Sequence, residues 1–203
     1  MLDVGSCYNP FAIYSDLDIV AVDLCPAIDS VYQCDFLNVP VDASTREEIS
    51  TSSVISFKLS SFDVVIFSLL LEYLPSSFQR WAACKKACSV LKDEGLLVII
   101  TPDSKAAHAN SKVMKSWRTA LSYLGLERIA YEKLLHVHCM AFRKSVKNAN
   151  CEGEEDAAKM MYIPQDLQED SDSDNDQEIA RPLDEEISDG FALLPNSDCF
   201  TFT

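Results

Sequence analysis

Short apolar runs separated by polar turns, rather than one long periodic stretch, dominate the first 144 residues. Ile19 to Val22, Phe62 to Phe67 and Leu96 to Ile100 are close to continuously apolar, as expected of strands covered on both faces. Met1 to Gly5 reads as a further strand, and a short one is expected near Val31 to Cys34. Pro75 and Ser76-Ser77 open a helix that brings Phe78, Trp81, Cys84, Cys88 and Leu91 to one side. A second helix over Asn110 to Leu124 carries Met114, Trp117, Leu121 and Leu124 on one stripe and stops at Gly125. Two last strands are expected over Leu126–Tyr131 and Val137–Phe142. Residues 40–61, rich in Ser and Thr with weak periodicity, read as a loop or a short irregular helix. Strand and helix alternate, so the expected fold is a three-layer, Rossmann-like α/β domain around a mostly parallel sheet.

The pattern breaks after Arg143-Lys144, and charge breaks with it. Residues 1–147 hold 16 acidic and 15 basic side chains, whereas residues 148–203 hold 16 acidic and 2 basic ones. A run such as Glu169-Asp170-Ser171-Asp172-Ser173-Asp174 has too little to bury to offset the cost of ordering the chain. The expected organisation is a folded domain over 1–147 and an acidic disordered tail over 148–203. Ser171 and Ser173 are candidate phosphorylation sites there, and Phe191 to Leu194 a candidate partner-binding segment. Because the body is nearly neutral, the acidic total of the chain neither favours nor excludes a nucleic-acid partner. Two modest basic groups, Lys85, Lys86 and Lys92 and then Lys112, Lys115 and Arg118, read as solvated helix faces. Eight cysteines without paired spacings read as reduced thiols of a cytosolic or nuclear protein. The longest apolar runs are far shorter than the roughly 20 residues a membrane-spanning helix needs.

Ligands of parallel sheets lie beyond the C-terminal ends of the strands. That rim collects Asp3, Gly5, Ser6, Asp23, Asp35, Phe36 and Ser68. Gly5 allows the backbone to approach a ligand, and Asp23 can accept bonds from the two hydroxyls of a ribose. Asp35 can accept from an adenine amino group, with Phe36 beside the ring. Each also has a plainer reading: a turn glycine, two turn or helix caps, a core phenylalanine. Gly5-Ser6-Cys7-Tyr8-Asn9-Pro10 lacks the second and third glycines of a dinucleotide fingerprint, and Pro10 interrupts the expected helix start, so NAD is disfavoured. S-adenosylmethionine, which needs no pyrophosphate cradle, suits the loop and its carboxylates better.

Leu2-Asp3-Val4-Gly5-Ser6-Cys7-Tyr8-Asn9-Pro10-Phe11 resembles the first motif of the SAMTOR family, which is related to a fungal ribosomal RNA adenine-N1 methyltransferase. The resemblance continues through Ser30 to Asn38, Phe67-Ser68-Leu69-Leu70-Leu71-Glu72-Tyr73-Leu74-Pro75-Ser76, Gln79-Arg80-Trp81, Leu96 to Ser104, Met114 to Trp117 and Met140 to Lys144. It implies a class I methyltransferase fold that binds S-adenosylmethionine, with Gly5 and Asp23 at ligand-sensitive positions. It further implies a metabolic sensor that, when ligand-free, associates with the GATOR and KICSTOR complexes and restrains the target-of-rapamycin complex. A cytoplasmic location follows, lysosome-associated through those partners. With its first strand starting at residue 1, the chain reads as N-terminally truncated relative to that pattern.

Methyl transfer is the second reading, with RNA as acceptor and a nuclear or nucleolar location; an inert interaction protein of the same fold is the third. Ser68, Glu72, Tyr73, Arg80 and Asp103 are candidate acceptor-side residues. No general-base constellation stands out, so the catalytic residues stay unassigned. Cys84 and Cys88 lie one helical turn apart, and His136, His138 and Cys139 sit near an extended segment. Nothing joins them into a coordination shell, so no metal is expected.

Overall fold

The computed structural model describes residues 1–43, 48–49, 51–103, 107–149 and 153–167. In chain order the strands are β1 (Leu2–Val4), β2 (Val20–Asp23), β3 (Tyr32–Gln33), β4 (Val41–Asp42), β5 (Glu48–Ile49), β6 (Val54–Lys58), β7 (Phe62–Ser68), β8 (Leu91–Pro102), β9 (Leu124–Leu134) and β10 (Val137–Ala149). The helices are α1 (Ser77–Val90), α2 (Ala107–Tyr123) and α3 (Glu154–Lys159). Seven strands form one sheet in the order β3-β2-β1-β7-β8-β10-β9. Strands β3, β2, β1, β7 and β8 run parallel, and β10 is antiparallel to both its neighbours. The C-terminal ends of β1, β2 and β7 therefore share a rim, with β1 central between Val22 on one side and Phe67 on the other.

The expected Rossmann-like, methyltransferase-type sheet flanked by helices is what the chain adopts. Leu2, Val4, Val22, Val65, Phe67, Leu97 and Ile99 are all buried, as two-sided cover demands. The α1 start follows its capping chemistry: the Ser76 hydroxyl accepts from the Gln79 amide at 3.2 Å. Gly125, at φ 74, makes the left-handed turn directly after α2.

Three expectations are corrected. Residues 40–61 contain strands: β4 and β5 both pair with β6 in a separate small sheet. The buried face of β6 supplies Phe57, whose ring meets Phe36 at 6.0 Å and Phe62 at 5.8 Å. The surrounding serines obscured a buried-exposed alternation at Val54 and Ile55. Phe78, expected on the buried side of α1, is half exposed, and Arg80 is fully buried in its stead. Third, residues 153–167, expected within the tail, form α3 and the turn Pro164–Leu167. Past β10, α3 and the turn Pro164–Leu167 bury Ala157, Ala158 and Met161 against the body, with α3 touching both α1 and α2. The acidic run from 169 with Ser171 and Ser173, the 191–194 segment, Ser104, Cys151 and Cys199 lie outside the described residues.

Candidate functional site

A cavity of about 250 Å³ opens on the shared rim, walled by Val4, Gly5, Asp23, Leu24, Asp35, Phe36, Leu37, Leu70, Tyr73 and Leu74 among others. Strand ends supply one wall and the Leu69–Leu74 loop after β7 supplies the other. Gly5 has φ 77, a conformation that side chains rarely adopt, and a Cβ there would stand 2.8 Å from Leu70 Cδ1. Its amide donates to the Val22 carbonyl at 2.9 Å and the Ser6 amide to the same oxygen at 3.1 Å. These bonds turn the chain away from β1 and leave the strand end open.

Asp23, the last residue of β2, fixes the neighbouring turns. Its Oδ1 accepts from the Cys25 amide at 2.8 Å and its Oδ2 from the Cys7 amide at 3.1 Å. One carboxylate thus holds both edges of the cavity mouth and keeps acceptor capacity for a further donor. Asp3 lies behind this wall, on β1, and is almost wholly buried. Its Oδ2 and the Ser6 hydroxyl are buried without a hydrogen-bond partner among the described residues. Burial pushes the Asp3 carboxyl above its ordinary range; Ser6 stands near enough to oppose the shift, and the Asp23 charge adds to it. Buried polar atoms left unsatisfied cost about 1–3 kcal/mol each, but neither Asp3 nor Ser6 is part of the cavity wall.

Asp35 and Phe36 line the cavity in plainer roles than expected. Asp35 caps its own turn, accepting from the Leu37 and Asn38 amides at 3.1 and 3.2 Å and from Asn38 Nδ2 at 2.8 Å. The Asn38 side chain, ahead of the backbone bonds, holds its carboxyl below the usual range. Phe36 is buried, edge-on to Phe67 at 5.8 Å, so only part of its ring borders the cavity. Ser68 ends β7 and is not part of the cavity wall.

Lys86, expected in water, donates to the Leu37 and Val39 carbonyls at 2.7 and 2.6 Å and braces the segment after Asp35. Nothing in its sequence setting distinguished it from Lys85. Glu72 lies in the loop that walls the cavity; burial raises its carboxyl, and its Oε2 has no partner among the described residues. It borders a second, much smaller cavity of about 40 Å³ with Thr101, Asp103, Trp117 and Pro164. Asp103 is taken up by Lys133 at 2.6 Å, and Arg80 is fully buried inside the fold and is not part of the cavity wall. A larger groove of about 590 Å³ runs between Lys115, Arg118 and Arg128. It flanks the start of β9, the opposite end of the sheet from the rim. Among the described residues no group of His, Cys, Asp and Glu could hold a metal ion, and no helix is long and apolar enough to cross a membrane.

Comparison with known proteins then fixes the family. The model of the family described as "25S rRNA (adenine(2142)-N(1))-methyltransferase, Bmt2" matches residues 1–178. The chain belongs to this family. Two relatives share the name "S-adenosylmethionine sensor upstream of mTORC1". The one from Xenopus laevis is 40% identical over 210 residues, covering 97% of this chain and 52% of its own length. The one from Danio rerio is 39% identical over 214 residues, covering 97% and 54%. The resemblance carried by the rim motifs is thus borne out, and the chain spans about half the length of the curated relatives it matches. Among solved structures, a chain from the complex of the Haloferax volcanii Trm112 methyltransferase activator with a methyltransferase aligns with a TM-score of 0.52. It is 11% identical, over 71% of this chain and 81% of that one. The CurJ carbon methyltransferase aligns at 0.50 and 12% identity, over 71% and 48%. Likeness at that identity speaks for the fold alone.

Proposed function

We propose that the rim cavity binds S-adenosylmethionine and that the protein acts as a sensor of that metabolite. The observation that carries the reading is the cavity at the strand ends, walled by the side-chain-free Gly5 and the Asp23 carboxylate on one side and by Leu37, Leu74 and Phe36 on the other. Asp23 offers acceptors to the ribose hydroxyls. Asp3 and Ser6, buried behind the Gly5 turn and outside the cavity wall, are the acidic and hydroxyl groups assigned to the ammonium of the amino-acid end once that turn admits it. Leu37, Leu74 and the Phe36 edge offer the apolar walls an adenine ring prefers. The residues present fit the ligand.

When bound, the ligand supplies an electrophilic methyl on a sulfonium. The chain's own residues bind and orient it, and the two carboxylates of the cavity wall, Asp23 and Asp35, are held by backbone amides of their own or neighbouring turns. The name shared by the relatives supports a sensing role upstream of the target-of-rapamycin complex. On this reading the ligand-free protein engages GATOR and KICSTOR and restrains that complex in the cytoplasm, at the lysosome through those partners, and the metabolite releases it. Methyl transfer to adenine N1 of ribosomal RNA, in the nucleolus, is the second reading, and the family description favours it.

The two are separated by incubating the full chain with labelled S-adenosylmethionine and an RNA pool, and in parallel measuring recovery of GATOR and KICSTOR subunits with and without the metabolite. Binding with no label transferred and a ligand-dependent loss of partners supports sensing. Label on adenine, lost in Asp23→Ala, supports the enzyme.

A further inference from the structure

Arg80 sits on α1 with its side chain fully buried, and each arm of its guanidinium reaches a different part of the chain. Nε donates to the Met161 carbonyl at 2.6 Å, Nη1 donates to the Leu74 carbonyl at 2.6 Å, and Nη2 pairs with Asp166. Burying a cation costs several kcal/mol unless its donors are matched, so these three contacts are a condition of its being there.

Two of them belong to the strap formed by residues 153–167. The strap is fastened elsewhere too. Trp117 Nε1 donates to the Tyr162 carbonyl at 2.9 Å, the Ser116 hydroxyl to the Met160 carbonyl at 2.7 Å, and Trp81 Nε1 to Glu154 Oε1 at 3.2 Å. The third Arg80 contact, Leu74, closes the loop that walls the rim cavity. The start of that loop is held by Leu69, whose amide donates to the Ile100 carbonyl at 2.9 Å and whose φ is 54. A left-handed leucine is costly, of order 1–3 kcal/mol, and persists only where its surroundings impose it. Between these two anchors Leu70 lies over Gly5.

The cavity that results, about 250 Å³, is below the roughly 300 Å³ at which small-molecule pockets begin. The Leu70 side chain stands where the amino-acid end of a ligand reaching Gly5 would go, and Leu74, four residues on in the same loop, is tied to Arg80. We propose that Arg80 is a positioning residue that couples ligand entry at the rim to docking of the strap. The docked strap holds the loop over Gly5, and ligand entry loosens the Met161–Asp166 end of the strap. Glu72, in the same loop, borders a cavity of about 40 Å³ together with Ile163 and Pro164 of the strap. Coupling of this kind is reciprocal, so loosening the strap must tighten ligand binding. The inference rests on the proposed reading of the cavity for the identity of its ligand.

The two tryptophans of the chain, Trp81 and Trp117, both bond to the strap, so intrinsic fluorescence reports its docking. The test is acrylamide quenching of the full chain during titration with S-adenosylmethionine, beside calorimetry, for the wild type, Asp166→Asn and Ile163→Ala. The expected result is quenching that rises on ligand binding in the wild type. In the variants it is already raised without ligand, and the dissociation constant falls roughly fivefold, the lower end of typical coupling. A residue that merely supports the fold would give weaker binding when its contacts are cut. Binding without any change in quenching overturns the coupling, as do variants with raised quenching and unchanged or weaker affinity. Flat calorimetry in the wild type overturns the ligand reading itself, a distinct outcome. Ile163→Ala leaves the Arg80 ion pair intact, so it carries the test if Asp166→Asn does not fold.

Discussion

Asp23 and Gly5 concentrate the site's chemistry in two residues with different failure modes. Asp23→Ala removes acceptors for the Cys7 and Cys25 amides as well as for the ligand. Hydrogen bonds to a charged group are worth about 1.5–3 kcal/mol, so affinity for S-adenosylmethionine is expected to fall at least tenfold by calorimetry. Gly5→Ala meets both a positive φ and the Leu70 methyl. A loss of about 1–2 kcal/mol in denaturant unfolding is expected, together with loss of binding. Asp3 adds a pH dependence. Its folded pKa is raised by burial, so ionised Asp3 destabilises the ligand-free fold, and that penalty appears as pH climbs from the unfolded value through the folded one. Asp3→Asn is therefore expected to stabilise the ligand-free protein at neutral pH by of order 1 kcal/mol. It should also weaken binding, because an ammonium ligand requires the carboxylate. For the same reason wild-type affinity is expected to drop as pH is lowered through the raised Asp3 range.

At the scale of elements, the long apolar strands and the amphipathic α2 were legible because burial imposes their periods directly on the sequence, whereas α1, which buries Arg80 and exposes Phe78, was legible from its Pro75 and Ser76 start. Val22, Phe67 and Ile99 could hardly sit anywhere but inside. The rim followed from strand order, and with it Gly5 and Asp23. What escaped was set by tertiary contact. β6 is a strand because Phe57 joins the Phe36 and Phe62 rings, which no local pattern announces. Residues 153–167 looked like the start of a tail because Glu154, Glu155 and Asp156 resemble the acidic run beyond them. The apolar Met160-Met161-Tyr162-Ile163-Pro164 was the available signal, and its cover is Trp117 and Arg80, far away in sequence. Asp35 and Phe36 keep both readings, because a residue at a strand end can serve its own turn and a ligand, and spacing alone does not choose. The strap has a direct consequence. A chain ending at 147 leaves Trp81, Trp117 and Arg80 without the strap, so its melting temperature is expected to lie well below that of a chain ending at 169, by scanning calorimetry. Equal stability would mean that the strap contributes nothing to the fold.

For the whole molecule, the proposed ligand rests on the family assignment and the rim geometry, while charge contributes little. The body is nearly neutral, and the acidic excess lies in residues 148–203. The sensing and transferring readings share the same first step, which is recognition of the metabolite at the ends of β1 and β2. Titration calorimetry of the full chain with S-adenosylmethionine, S-adenosylhomocysteine and NAD, repeated with Asp23→Ala, tests that step most directly. Saturable binding of the two adenosyl compounds at one site, none of NAD, and a loss of at least tenfold in the variant are predicted. A folded wild-type chain that takes up no heat with S-adenosylmethionine at millimolar concentration, or binds it as well without Asp23, would contradict the account.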